Sequence, residues 1–348
     1  MNNYDPSLVA NKNNNIYGFP FNFNNSELIL IPIPWDVTVS YNSGTSKGPS
    51  SIFNASFQLD LFDSLYGNVW KKGLFYDKDI NFINQLNVKH RGISEQIINA
   101  LENGTDIKND INLEKLQREI NSACEAMNDF VFNKSIDILK LNKCVGIIGG
   151  EHSVALGNIR AISNFYDSFS ILQFDAHCDL RKSYEDFKYS HASIMRNVFE
   201  NIDKDFNLVQ IGIRDYCEEE NQYLKHNKQR IKCFTDEYLK ESIYCGKNWN
   251  NLTDEIISNL KNDVYISFDI DGLSPLNCPN TGTPVPSGLQ FEEAIFLLKK
   301  IYKSGRRIIG FDLCEVAPNK IDISNELDAN IGARILFSLS MLTLMSKK

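Results

Sequence analysis

The chain has 348 residues, 43% hydrophobic and 23% charged, proportions that exclude a disordered chain and allow one large α/β unit or about two domains. Acidic side chains outnumber basic ones, 44 to 36, for a net charge of −8, so no broad basic face for nucleic acid is expected. The start, Met1-Asn2-Asn3-Tyr4-Asp5, lacks the basic-then-apolar pattern of a secretory signal. The longest apolar tract, Ile331 to Met345, is broken by Arg334 and is short for a bilayer crossing. A cytoplasmic protein with neither membrane nor nucleic-acid partners is expected. The eight cysteines are scattered with no CxxC pair, which disfavours a disulfide framework or a zinc ribbon.

In chain order, residues 1–27 are Asn-rich and aperiodic and read as a loosely ordered arm before a single domain over 28–348. Short apolar runs follow at Leu28–Ile33, Cys144–Ile148, Ser170–Phe174, Leu208–Ile211, Val264–Phe268 and Ile308–Leu313, and such runs suit strands buried on both faces of a parallel sheet. Between them, helical periodicity marks Leu113–Leu141, Ala155–Tyr166, His191–Glu200, Thr253–Leu260 and Gln290–Tyr302, with Thr253 as a candidate cap. Residues 64–112 are polar and mixed, an insertion or peripheral helices. Alternating strand and helix predicts a three-layer α/β/α fold with a parallel, doubly wound sheet.

In such sheets the ligand site lies beyond the carboxyl ends of the strands. The residues that follow four of the predicted strands are Gly149-Gly150-Glu151-His152-Ser153, Asp175-Ala176-His177-Cys178-Asp179, Asp269-Ile270-Asp271-Gly272, and Glu315 before Ala317-Pro318. One rim thus receives two imidazoles, four aspartates and at least one glutamate. Like charges at close range raise each other's pKa and cost stability, and divalent cations are the natural compensation. Two ions sharing bridging carboxylates would use six such ligands efficiently. A single DxD or a single His after Gly-Gly is commonly a cap or a turn; three signals at three strand ends are much harder to obtain by chance. His90 and His226 stand in polar helical context and read as solvated surface residues.

GGEHS (149–153), DAHCD (175–179), SFDIDGLSP (267–275), NTGTP (280–284) and GFDLCEVAP (310–318) resemble, in order and spacing, the signatures of the arginase/agmatinase (ureohydrolase) family. PWDVTVSYNSGTSKGPSSI (34–52) is similar to its Gly-rich, substrate-side loop, and the resemblance covers roughly residues 28 to 340. It implies a binuclear manganese centre, with Ni²⁺ or Co²⁺ as alternatives. One ion would be held by His152, Asp175, Asp179 and Asp269, the other by Asp175, His177, Asp269 and Asp271. A hydroxide shared by the two ions would be the nucleophile. Glu315 would pair with the guanidinium of a small guanidino substrate, His191 would protonate the leaving amine, and Thr283 would orient the site by hydrogen bonding. The resemblance also implies a homo-oligomer, a trimer or hexamer.

Several positions depart from the arginase pattern. Arg181 stands where arginases carry an Asn two residues beyond DAHxD, Glu151 where they carry Asp, and Ser274 replaces the Asp of DGLDP. The stretch DLRKSYEDFKYSHASIMRN resembles agmatinases, so agmatine, cleaved to putrescine and urea, is the expected substrate. Guanidine, guanidinobutyrate, arginine and formimidoylglutamate are the alternatives within the same chemistry. A non-catalytic fold member, or a one-metal deacetylase of related fold, would not need all six ligand positions.

Overall fold

The apolar runs are strands of one sheet in which all neighbours are parallel, and alternate residues of each strand enter different cores. On the first strand, Leu28 and Leu30 face one core while Ile29, Ile31 and Ile33 face the other, all fully buried. The computed structural model describes residues 4–347. Along the chain run β1 (Leu28–Ile33), α1 (Gly48–Ala55), β2 (Leu74–Tyr76), α2 (Asn81–Glu102), α3 (Ile111–Lys140), β3 (Cys144–Gly149), α4 (Ala155–Ile162) and β4 (Ser168–Phe174). There follow α5 (Ile194–Asn201), β5 (Asp205–Ile213), α6 (Glu218–His226), β6 (Ile231–Thr235), α7 (Asp236–Tyr244), α8 (Trp249–Ser258), β7 (Asp263–Asp269), α9 (Phe291–Lys303), β8 (Arg307–Cys314) and α10 (Leu327–Ser346). Helices α2 to α5 cover one face, and α1 with α7 to α10 cover the other, which is the expected three-layer arrangement.

The strand order is β2-β1-β3-β8-β7-β4-β5-β6. Strands β3, β8, β7 and β4 are therefore consecutive neighbours, although β3 ends at Gly149 and β8 begins only at Arg307. At about 4.8 Å per strand, their carboxyl ends lie within about 15 Å of one another. These are the four strands whose C-terminal segments carry the clustered His and Asp residues.

Several expectations need correction. The sheet has two edge strands, β2 and β6, that periodicity did not mark; β2 is only three residues long, and β6 alternates buried Ile231 with exposed Lys232. Pro32 is accommodated inside β1 because β2 pairs only as far as Leu30 and leaves the Pro32 stretch with one neighbour, where a missing N–H costs little. Within the N-terminal arm the stretch 16–21 is packed, not loose, while Leu8 and Val9 stay exposed. Tyr17 is 1% exposed and donates its hydroxyl to Ala333 O at 2.8 Å, and Phe19 stacks on Trp70 with centroids 5.6 Å apart. Thr253 is not a cap: α8 begins one turn earlier behind Asn248, whose side chain accepts from Asn251 N. His90 is buried, 2.8 Å from Leu86 O, whereas His226 is exposed as expected. The Ile331–Met345 tract forms most of α10, a 20-residue helix that is long and apolar enough to cross a membrane; 72% of it is covered by the protein itself as a core helix.

Candidate metal centre

β3 delivers Gly150 against Trp35, where any Cβ would meet the Trp35 carbonyl at 2.0 Å, so only glycine lets the chain turn there. Glu151 and His152 follow. His152 Nδ1 lies 2.9 Å from Asp179 Oδ2, 3.1 Å from Asp175 Oδ2 and 3.5 Å from Asp269 Oδ2. Its other nitrogen, Nε2, is 2.8 Å from Ser267 Oγ, which in turn donates to Asp312 Oδ1 at 3.1 Å. An outer partner on Nε2 fixes ring orientation and tautomer and presents Nδ1 to the carboxylates. Neither Ser267 nor Asp312 was expected in the site. The signal was present, since Asp312 is a fully buried acid inside the apolar run of β8.

After β4 the chain does not remain extended, so strand alternation is not what brings Asp175, His177 and Asp179 together. Asp179 takes the left-handed conformation (φ 55°), a costly choice for a non-glycine residue, and its carbonyl accepts from Met195 N and Arg196 N at the start of α5. Asp175 presents its two oxygens in two directions. Oδ2 faces His152, while Oδ1 accepts from His177 N at 2.7 Å and lies 3.6 Å from His177 Nδ1. His177 Nδ1 is 3.1 Å from Asp271 Oδ2. Two triads result, His152–Asp175–Asp179 and Asp175–His177–Asp271, each with ligand atoms within 4.8 Å of one another and sharing Asp175. Asp269 stands beside the first triad, and its Oδ1 accepts from Asp271 N at 2.9 Å.

The electrostatics state what the cluster lacks. Burial, then the charge of Asp175, pushes Asp179 up to about 7, and burial with Asp271 and Asp175 holds Asp269 well above the carboxylate range. Burial, then Glu151, raises Glu315 likewise. Burial opposes protonation of His152 and His177, yet their aspartate partners outweigh it and hold both pKa values well above the imidazole range. Burial also opposes ionisation of Asp175, but bonds to the two histidines lower its pKa. These shifts mark a crowd of like charges that positive charge would relieve. An oxygen- and nitrogen-donor set, with one carboxylate shared by two triads, fits two hard-to-borderline divalent cations.

Glu315 is 5% exposed, also left-handed (φ 64°), with Oε1 accepting from His152 N at 2.9 Å. A Cβ at Gly282 would come 3.0 Å from Glu315 Oε2, so the glycine of NTGTP leaves room for the carboxylate. Thr283 Oγ1 is 3.4 Å from Asp271 Oδ2. The second triad opens onto a cavity of about 290 Å³ lined by His177, Asp179, Arg181, Tyr184, His191, Asp215, Glu220 and Thr283, among others. Glu315 is not one of the lining residues. Arg181 faces this cavity, stacked on Tyr184 at 4.9 Å with Nε 3.8 Å from Glu220 Oε2. Arg214 ties the walls together by donating to the carbonyls of Gly212, Asp271, Leu273, Val285 and Pro286. Sequence reasoning did not single it out.

The sequence matches the family described as the Arginase family over residues 26–342. It is 26% identical over 302 residues to the N(1)-aminopropylagmatine ureohydrolase of Synechocystis sp., covering 86% of this chain and 84% of that one. To the agmatinase of Bacillus subtilis it is 29% identical over 316 residues, covering 89% and 90% of the two chains. The fold superposes on the agmatine ureohydrolase of Thermoplasma volcanium with a TM-score of 0.69 at 22% identity, covering 93% of this chain and 92% of that one. With the matched segment spanning the whole sheet and every strand end of the site, the chain belongs to the arginase family of ureohydrolases.

Proposed function

We propose that the protein hydrolyses a small guanidino amine, agmatine before others, to urea and an amine. The observation that carries this reading is the pair of triads sharing Asp175 at the edge of a cavity that also holds His191 and Thr283. Two divalent cations of the Mn²⁺, Co²⁺ or Ni²⁺ kind would be held by His152, Asp175, His177, Asp179, Asp269 and Asp271. Bound there, they supply Lewis acidity and make water acidic enough to act as a nucleophile at neutral pH. Glu315 orients the guanidinium through its carboxylate. His191 carries a proton to the departing amine nitrogen. Thr283 holds Asp271 and thereby the entrance side of the second triad.

The cavity wall suits a dication. Asp215 is exposed at it, and Glu220 offsets the charge of Arg181. A specific observation supports a second reading: Arg181 reaches the wall, where it can receive a carboxylate, so a guanidino acid such as guanidinobutyrate is the alternative. Urea release from agmatine, arginine, guanidinobutyrate and guanidine tests both readings. Agmatine is expected to exceed arginine in kcat/KM by roughly 10²-fold, the cost of leaving a desolvated charge without a partner. A preference for arginine or free guanidine would overturn the agmatine assignment. Association into a homo-oligomer is also proposed, because Ile321 and Ile323 are 99% and 89% exposed; a solution mass equal to one chain would refute it.

A further inference from the structure

We propose that Thr38 positions the His191 ring for proton transfer, and that the buried carboxylate of Glu151 holds Thr38 in the required orientation. The inference rests on the reading of His191 as the proton donor to the leaving amine. Thr38 stands in the loop after β1 and is fully buried, as is Glu151 between β3 and His152. The Thr38 N–H donates to Glu151 Oε2 at 2.7 Å, and its hydroxyl donates to Glu151 Oε1 at 2.7 Å. Ser153 Oγ donates to the same Oε1 at 2.5 Å, so the buried carboxylate has three donors.

The same hydroxyl oxygen accepts from His191 N at 3.1 Å and lies 3.3 Å from His191 Nδ1. A hydroxyl has one proton and two lone pairs. With its proton given to Glu151, Thr38 Oγ1 is an acceptor on both remaining sides, and His191 fills both, one with its backbone N–H and one with Nδ1–H. The neutral ring then carries its proton on Nδ1, and Nε2 is the nitrogen that exchanges a proton with the substrate. Ser190 Oγ lies farther from Nδ1, at 3.4 Å, and itself accepts from Ala192 N. Tyr184 meets the ring edge-on, with centroids 5.8 Å apart and planes at 84°, so tilting is limited from that side as well. Residues from three separate loops thus form one line from a buried carboxylate through a buried hydroxyl to an imidazole at the cavity wall.

Thr38→Val keeps the shape and the backbone bond to Glu151 but removes the hydroxyl. In the metal-loaded enzyme, kcat on the best substrate is expected to fall about 10- to 100-fold, as for loss of a partner that orients a functional histidine. KM and metal content per chain should stay near the parent values, Tm should drop by about a few degrees for the lost bond to Glu151, and Thr38→Ser should restore most of kcat. His191→Asn, measured alongside, should lower kcat by roughly 10²- to 10⁴-fold. Normal kcat in Thr38→Val beside an impaired His191→Asn overturns the positioning role, and so does loss of metal in parallel with kcat. Normal kcat in His191→Asn instead refutes the reading of His191 on which the inference rests. If Thr38→Val does not fold, the contrast between Thr38→Ala and Thr38→Ser reads the same difference.

Discussion

Replacing Asp175 with Asn should disturb both metal positions, whereas replacing Asp271 with Ala should disturb one. Asp175 is fully buried and belongs to both triads, while Asp271 belongs only to the one with His177. The Asp175 carboxylate accepts from Gln173 Nε2 at 2.7 Å on Oδ2 and from His177 N at 2.7 Å on Oδ1. An amide offers one oxygen and one NH₂, so either orientation sets a donor against a donor. It also removes a negative charge from both cation positions. Losing one charge-assisted hydrogen bond in a buried site costs about 1.5–3 kcal/mol. That corresponds to roughly 10- to 150-fold in a binding constant, here applied to each position. Elemental analysis after dialysis against a weak chelator is the assay. The parent is expected to retain two ions per chain, Asp271→Ala one, and Asp175→Asn fewer than Asp271→Ala. Two tightly held ions in Asp175→Asn, or loss of both in Asp271→Ala with one retained in Asp175→Asn, would refute the shared-carboxylate geometry.

Glu315→Gln should cut urea release from every guanidino substrate by roughly 10²- to 10³-fold, as for loss of a preorganised electrostatic contact, and unchanged rates would remove Glu315 from the reaction. Arg181→Ala should lower kcat/KM for guanidinobutyrate by about 10-fold or more, the value of a charged partner, while leaving agmatine nearly untouched; equal losses on both would show that Arg181 only shapes the wall. In chelator-treated protein, burial and mutual repulsion leave Asp179 and Glu151 at about 7, from ordinary values of 3.8 and 4.5, with Asp269 and Glu315 also raised. A raised carboxyl stabilises the fold below its unfolded pKa, and that contribution is lost as pH rises through the folded value. Tm should therefore fall between about pH 4 and pH 7, with Glu185, pushed up to about 7 by burial, and Asp328, raised likewise, adding to the slope and His191, lowered to about 3 mainly by burial, opposing it. Adding Mn²⁺ should flatten the slope, and a Tm that rises with pH in the chelated protein would contradict the crowded-acid account.

The ligand residues were legible in the chain because each follows a buried strand, and buried parallel strands announce themselves as unbroken apolar runs such as Cys144–Ile148 and Val264–Phe268. Chemistry at a strand end needs only a short, local pattern, as in Asp175-Ala176-His177-Cys178-Asp179. Edge strands were not legible for the same reason: β2 and β6 are short and partly solvated, so they leave no long apolar run. Other features depend on which segments meet. The order β3-β8-β7-β4 puts Ser267 and Asp312 behind His152, and no spacing within one segment encodes that contact. The left-handed turn at Asp179 is held by the start of α5 some fifteen residues on. Likewise Thr38, Glu151 and His191 stand in three distant loops, and no pattern within any one of them shows that the fold closes one hydroxyl's hydrogen bonds around all three. Sequence by itself determined which side chains could bind cations, since ligand chemistry belongs to residue type. Only the tertiary structure decided which oxygen of Asp175 serves which triad, which imidazole nitrogen faces the site and where Arg181 points, because those depend on distances between segments far apart in the chain.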